Sequence, residues 1–222
     1  MLLRFESNGS HRHRRVTLPD SSIAAARARL RASLRQARRS IPPAERARSA
    51  RRVALLVERE GLLSRQTRIG LYTALTEELD TEPLLALARR RGCRVYLPRI
   101  DPSPTARSMQ FVQESTRALH NRFGIPEPLG PTLSSARALD IVFVPLVGFD
   151  RRGSRLGMGG GYYDRALAFT RVRATTHSPL LVGLAYAAQE LVRIERAAHD
   201  VPLDMVITER RIIHCGSRRT SP

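Results

Sequence analysis

"DIVFVPLVGFD" (140–150), running into "RRGSRLGMGGGYYDRAL" (151–167), decides the fold. The first piece is the most apolar run of the chain and reads as a central, fully buried strand. The second places Gly157, Gly159, Gly160 and Gly161 within five positions, with arginines before them and Tyr162, Tyr163 and Asp164 directly after. A helix is expected to begin inside "GGGYYDRALAFTRV". A buried strand, a glycine loop and a helix in that order form the βα turn of an α/β sheet, where ligands collect beyond the carboxyl ends of the strands.

Working outward, the same pattern recurs on both sides. "RIGLY" (68–72), "RVYLPRI" (94–100), "SMQFVQ" (108–113), "LLVGLAY" (180–186) and "MVITE" (205–209), the last strand expected, are short apolar runs. "TEPLLALARRRG" (81–92) reads as a helix closed by glycine. Two further helices precede the first strand. In "SSIAAARARLRASLRQARRS" (21–40), Ile23, Ala26, Leu30, Leu34 and Ala37 recur at helical spacing, with Ser21 or Ser22 as N-cap. "PPAERARSARRVALLVEREG" (42–61) starts on proline and stops on glycine. Strands alternating with helices predict a single α/β domain with a mainly parallel central sheet flanked by helices. Its expected bounds are 21–210, with a disordered leader over 1–20 and a C-terminal tail over 211–222.

The chain has 222 residues, 38 of them basic, all arginine, and a net charge of +18. Fourteen arginines and three acids fall in residues 1–52, so the excess is concentrated at the start. Such a surplus favours anionic partners, although wholesale use of arginine for lysine also explains much of it. Arg27, Arg31, Arg35 and Arg38 share one helix face, which is either a solvated basic face or a binding one. No apolar run reaches the length of a membrane helix, and the opening residues lack a secretory signal, so a cytoplasmic protein is expected. Cys93 and Cys215 are far apart and are expected to be reduced and incidental.

The glycine loop matches neither familiar phosphate motif. A P-loop needs a lysine after its last glycine, and G-x-G-x-x-G fails from Gly157 and from Gly159. The physics still holds: glycines let successive N–H groups face an anion, a helix start adds a dipole, and Arg155 adds charge. Asp164 then suits a magnesium ion shared with phosphate oxygens.

"GSRLGMGGGYYDRAL" resembles the signature of the 5-formyltetrahydrofolate cyclo-ligase (5,10-methenyltetrahydrofolate synthetase) family. "RARLRASLRQARRSIPPAER", "LYTALTEELDTEPLL", "YLPRI", "FGIPEP", "DIVFVPLVGFD" and "HDVPLD" match other segments of that family in order, covering about 21–209. The resemblance implies a NagB/RpiA/CoA transferase-like fold and ATP-dependent cyclisation of 5-formyltetrahydrofolate, possible polyglutamates included, with Mg2+ as cofactor. It implies Arg155 and Asp164 as catalytic residues. ATP contacts would come from Arg27, Arg31, Arg155, Leu156, Gly157, Met158, Gly159, Gly160, Gly161, Tyr162 and Tyr163. Substrate contacts would come from Glu78 and from Met158, Gly159, Gly160, Gly161 and Tyr162, with one tyrosine packing and the other facing ligand. Asp164 and Asp200 would be the metal-linked carboxylates, and His199 a structural neighbour. A monomer is expected.

Two departures stand out. Many members carry lysine where this chain has Arg27, which keeps the charge, and where it has Gly160, which loses it; other members also show a GMGGG loop, so the question is whether Arg151 or Arg152 supplies the missing cation. The long leader is the second departure. Two other functions compete with the enzyme. One is a regulatory relative that binds folate and ATP without turnover; the other is a nucleic-acid binder working through the first helix. The absence of any known nucleic-acid motif and the low aromatic content weigh against the latter.

Overall fold

The computed structural model describes residues 20–103, 105–133, 135–171 and 178–216, with side chains described from residue 24 onward. The chain runs α1 (Asp20–Arg39), α2 (Pro43–Arg59), β1 (Arg68–Gly70), α3 (Glu82–Arg90), β2 (Arg94–Ile100), β3 (Met109–Gln113), β4 (Ala118–His120), β5 (Pro126–Pro128), β6 (Ile141–Pro145), β7 (Gly148–Phe149), β8 (Arg155–Leu156), α4 (Tyr162–Ala166), β9 (Leu180–Leu184), β10 (Met205–Ile207) and β11 (Ile212–His214). Seven strands form one sheet in the order β11-β10-β9-β6-β1-β2-β3. The strands from β10 through β2 run parallel, and antiparallel β11 and β3 close the two edges. This is the mainly parallel α/β sheet that the apolar runs predict.

Alternation along β6 explains the layers. Ile141 and Phe143 face a core shared with Val53, Val57, Leu84 and Ala88 of α2 and α3. Val142 and Val144 face the other core, with Leu139, Phe149, Leu167 and Leu203. Helices α2 and α3 therefore cover one face. Short turns, the β7–β8 hairpin and α4 cover the other, so helical cover there is thinner than expected. Leu34 of α1 packs with Val147, Leu156 and Ile194 in a third, smaller cluster.

The strand order places a site. From β1 the chain steps outward to β2 and β3; from β6 it steps the other way to β9 and β10. The carboxyl ends of β1 and β6 thus lie side by side while their following segments diverge, which is the switch point where open sheets hold ligands. The segment after β1 carries Glu78, and the segment after β6 carries the glycine loop.

Several expectations change. The single strand expected over 140–150 breaks after Pro145, and Gly148–Phe149 pairs antiparallel with Arg155–Leu156 instead. A Cβ on Gly148 would lie 2.6 Å from Leu34 Cδ1, so glycine there admits α1 against the hairpin. Helix α1 already includes Asp20, so Ser21 and Ser22 lie within it rather than capping it. The helix after the glycine loop is only Tyr162–Ala166, followed by a 3-10 turn at Ala168–Arg171. Ile212–His214, assigned to the tail, form edge strand β11 with Ile213 buried, and so MVITE is not the last strand. The disordered leader expected over 1–20 falls, but for Asp20, outside the described residues, as do residues 217–222.

Candidate functional site

The glycine loop begins where β8 ends and turns on Gly159 (φ 100°) and Gly161 (φ 66°), conformations that a side chain rarely adopts. Among the described residues, the N–H groups of Met158, Gly159, Gly160 and Gly161 donate to no protein acceptor. Four successive free donors on glycine-rich backbone are the raw material of an anion cradle. The dipole expected from the following helix contributes little, because that helix has a single turn. Loop amides and arginines have to hold any anion here.

Arg155 is the buried cation of the site. Its side chain is 4% exposed and donates from Nη2 to Asp164 Oδ1 at 2.7 Å. Its Nη1 donates to the Val201 carbonyl, and Val201 N–H returns a 2.9 Å bond to Asp164 Oδ1. Burial pulls the guanidinium below its ordinary pKa, while Asp164 and Asp200 oppose the fall. Asp164 thus sits in the first turn of α4 without capping it; it ties the loop's far end to Val201.

Helix α1 closes one side. Arg27 Nη2 donates to Asp200 Oδ2 at 2.8 Å, and Ala197 N–H meets the same oxygen at 2.8 Å. Burial acts upward on Asp200, but these two bonds and the Arg27 charge outweigh it and hold the carboxyl below its usual range. One turn on, Arg31 Nε donates to the Gly157 carbonyl at 2.8 Å. Burial, then the neighbouring Arg27, lowers Arg31 from its ordinary value. Further along the same face, Arg35, Arg38 and Arg39 converge on Glu77, at 2.5, 3.1 and 2.6 Å. Burial pushes Glu77 upward, but bonds from Arg35 and Arg39 and the charge of Arg38 bring it below the usual carboxylate range. The basic face is therefore turned onto the body of the protein, and it is not a solvated stripe.

Beside Glu77 lies the buried end of the site. Glu78 accepts from Leu75 N–H at 3.0 Å through Oε2, and burial raises its pKa. Tyr163, whose hydroxyl is buried with no partner among the described residues, has its pKa raised by burial first and by Glu78 second. Tyr72, wholly enclosed nearby, shifts upward for the same two reasons in the same order. Tyr163 also packs against the second core. Tyr162 is half-buried and its hydroxyl takes a 2.7 Å bond from Arg122 Nη2 in the β4–β5 turn.

The structure brings together Arg27, Arg31, Leu156, the loop 157–161, Arg155, Asp164 and Asp200, with Glu78 adjoining through Tyr163. Arg151 and Arg152 are not at the loop. Arg151 Nε is 2.8 Å from Glu190 Oε1, and Arg152 lies against Asp150 and the Ile194 carbonyl. His199 is three-quarters exposed, 3.7 Å from Asp200 Oδ1. Sequence reasoning assigns no role to Glu77, Tyr72, Arg122 and Arg165; Arg165 had a signal in closing the glycine-loop signature, and Arg38 was marked only by its place on the shared face of α1.

A model of the 5-formyltetrahydrofolate cyclo-ligase family matches residues 23–209. The chain belongs to that family. A cyclo-ligase from Escherichia coli is 32% identical over 184 residues, spanning 81% of this chain and 98% of that protein. Its Haemophilus influenzae counterpart is 37% identical over 139 residues, or 61% of this chain and 72% of the relative. Among solved structures, 5,10-methenyltetrahydrofolate synthetase from Aquifex aeolicus superposes with a TM-score of 0.73 at 28% identity, covering 88% of this chain and 96% of that one. Among the described residues, no helix is long and apolar enough to cross a membrane.

Proposed function

We propose that this member of the cyclo-ligase family converts 5-formyltetrahydrofolate to 5,10-methenyltetrahydrofolate at the expense of ATP, releasing ADP and phosphate. The observation that carries the reading is the row of unpaired N–H groups from Met158 to Gly161, set between Arg31 and Arg155. The formyl oxygen of an N-formyl group is a poor leaving group. It therefore attacks the γ-phosphorus, ADP departs, and the resulting phosphorylated imidate carbon is open to attack by N10. N10 loses its proton as phosphate leaves and the ring closes. Phosphoryl transfer of this kind asks for positioning and charge stabilisation more than for a strong base.

In this reading the loop amides and Arg155 hold the phosphates, and Arg27 and Arg31 line the α1 side. Glu78, buried and accepting from Leu75 N–H, meets the polar edge of the reduced pterin, with the Tyr163 hydroxyl beside it. Among the described residues, Asp164 Oδ2 has no partner and Asp200 Oδ1 has only His199, while no cluster of three metal-ligating side chains exists. That donor set fits magnesium arriving with the nucleotide, since such ions use one or two carboxylates plus phosphate oxygens. When bound there, the ion would neutralise charge on the phosphates.

The test mixes purified protein, Mg-ATP and 5-formyltetrahydrofolate and follows the near-ultraviolet absorbance of the methenyl product. An ATP-dependent rise, lost in Asp164→Ala, is expected. Absence of any rise while both ligands bind would refute turnover and leave a regulatory folate binder.

A further inference from the structure

The glycine loop has a second cationic wall, opposite in sequence origin to α1. Arg165 of α4 donates from Nη2 to the Gly160 carbonyl and from Nε to the Arg107 carbonyl, the latter at 2.8 Å. Its guanidinium also lies 5.8 Å from the centroid of the Tyr162 ring. The other side of this wall is Arg122, which donates to Tyr162 Oη and, at its Nη1, to the Ser103 carbonyl at 2.6 Å. Tyr162 in turn fills the space beside Gly160, where an added Cβ would come within 2.8 Å of the ring. Residue 160 contributes no charge; Arg165 of α4 bonds its carbonyl, and Arg122 of the β4–β5 turn holds the hydroxyl of the tyrosine packed beside it.

Peptide geometry gives this arrangement a purpose. The C=O and N–H of one trans peptide point in opposite directions, and the described chain has no cis bond. Arg165 fixes the Gly160 carbonyl on its own side, so the N–H of Gly161 is turned away from Arg165 and left free. Arg31 does the same at the next peptide but two, holding the Gly157 carbonyl and freeing the N–H of Met158. A Cβ on Gly161 would sit 2.9 Å from Arg165 Nη1, which shows how closely the guanidinium is laid along this backbone.

We infer that Arg165 is a positioning residue: it orients the Gly161 amide as a donor to the phosphate chain and, with Arg122, supplies the cationic charge that residue 160 lacks. The inference rests on the proposed use of this loop for ATP phosphates. It explains why neither Arg151 nor Arg152 is needed at the loop, since both are engaged elsewhere.

The experiment uses 15N-labelled full-length protein with inorganic triphosphate as probe, together with steady-state kinetics. In the wild type the Gly161 amide resonance moves on adding triphosphate. Arg165→Met removes that response, and Arg165→Lys, which keeps the charge and one donor, restores part of it. In the cyclisation assay Arg165→Met raises the KM for Mg-ATP about tenfold, the loss expected for one charge-assisted contact, and leaves the folate KM within about twofold. Arg151→Ala changes neither. A wild-type-like amide response in Arg165→Met, or no response in the wild type, overturns the inference. Parallel rises in both KM values, with a lowered melting temperature for the free variant, would also overturn it by showing a merely structural role. A triphosphate response that depends on Arg165, in a protein that does not cyclise the folate, would uphold the inference and refute the proposed reaction.

Discussion

Arg155→Met, made singly and in a cycle with Asp164→Leu, examines the buried centre of the site. The wild-type guanidinium spans Asp164 and the Val201 carbonyl, and its side chain is 4% exposed against 23% for Asp164. A hydrogen bond to a charged group contributes about 1.5–3 kcal/mol, and removing one partner of a buried pair costs about 3–5 kcal/mol. Water reaches Asp164 and takes up part of the loss, so we expect the lower end, about 3 kcal/mol. For a domain of this size that lowers the melting temperature by roughly 6–12 °C. The assay is urea unfolding of the four proteins without ligand. Asp164→Leu alone strands the Arg155 charge, and the double variant removes both charges, so the two losses should fall short of additivity by about 1.5 kcal/mol or more. Additivity within about 0.5 kcal/mol, or a loss below about 1 kcal/mol for Arg155→Met, would show that the pair does not hold the loop to Val201.

Three more outcomes follow from the same geometry. Arg31→Ala should raise the KM for ATP about tenfold, while Arg151→Ala, which faces Glu190, leaves it unchanged; equal effects would misplace the α1 wall. Glu78→Gln should abolish folate binding yet raise the melting temperature at pH 8. The folded pKa of Glu78 is raised, so its contribution to stability is full below the ordinary glutamate value and lost as pH rises through the folded one. A variant no more stable than wild type at pH 8 would contradict that sign. Gly153→Ala should cost about 3 kcal/mol or more in chemical denaturation, because Gly153 has φ 76° and a Cβ there would lie 2.3 Å from the Leu203 carbonyl oxygen; a loss under 1 kcal/mol would be inconsistent with that contact.

Much of this was legible in the chain itself. The parallel strands announced themselves because burial on both faces demands uninterrupted apolar runs such as IVFV (141–144). The site's acidic and basic members were visible because the residues from Arg155 to Asp164 are contiguous. What escaped depends on long-range register. β11 has only three residues, and its pairing with β10 leaves no periodic signal in so short a run. The hairpin after Pro145 sets Gly148 against Leu34 of α1, more than a hundred residues away in sequence. Arg122 looks like any other arginine in a chain with 38 basic residues, Arg165 is marked only as the last residue of the glycine-loop signature, and the fold alone brings both to Tyr162. Arg151 and Arg152 misled for the converse reason: closeness in sequence to the loop carries no information about direction once β7 and β8 turn back on each other.

Helix α1 is fastened differently from the rest of the molecule. Leu34 and the half-buried Leu30 form its apolar anchorage, while Arg27, Arg31, Arg35, Arg38 and Arg39 supply the remainder through Asp200, the Gly157 and Leu146 carbonyls, and Glu77. Only the Arg39–Glu77 bond is exposed, and the others are partly or wholly buried. Salt screens exposed pairs and largely spares buried ones, even at about 1 M where the screening length is roughly 3 Å. Concentrated electrolyte should therefore loosen the Arg39 contact while Arg38, shut away against Glu77 and the Leu146 carbonyl, keeps this wall fastened to the sheet.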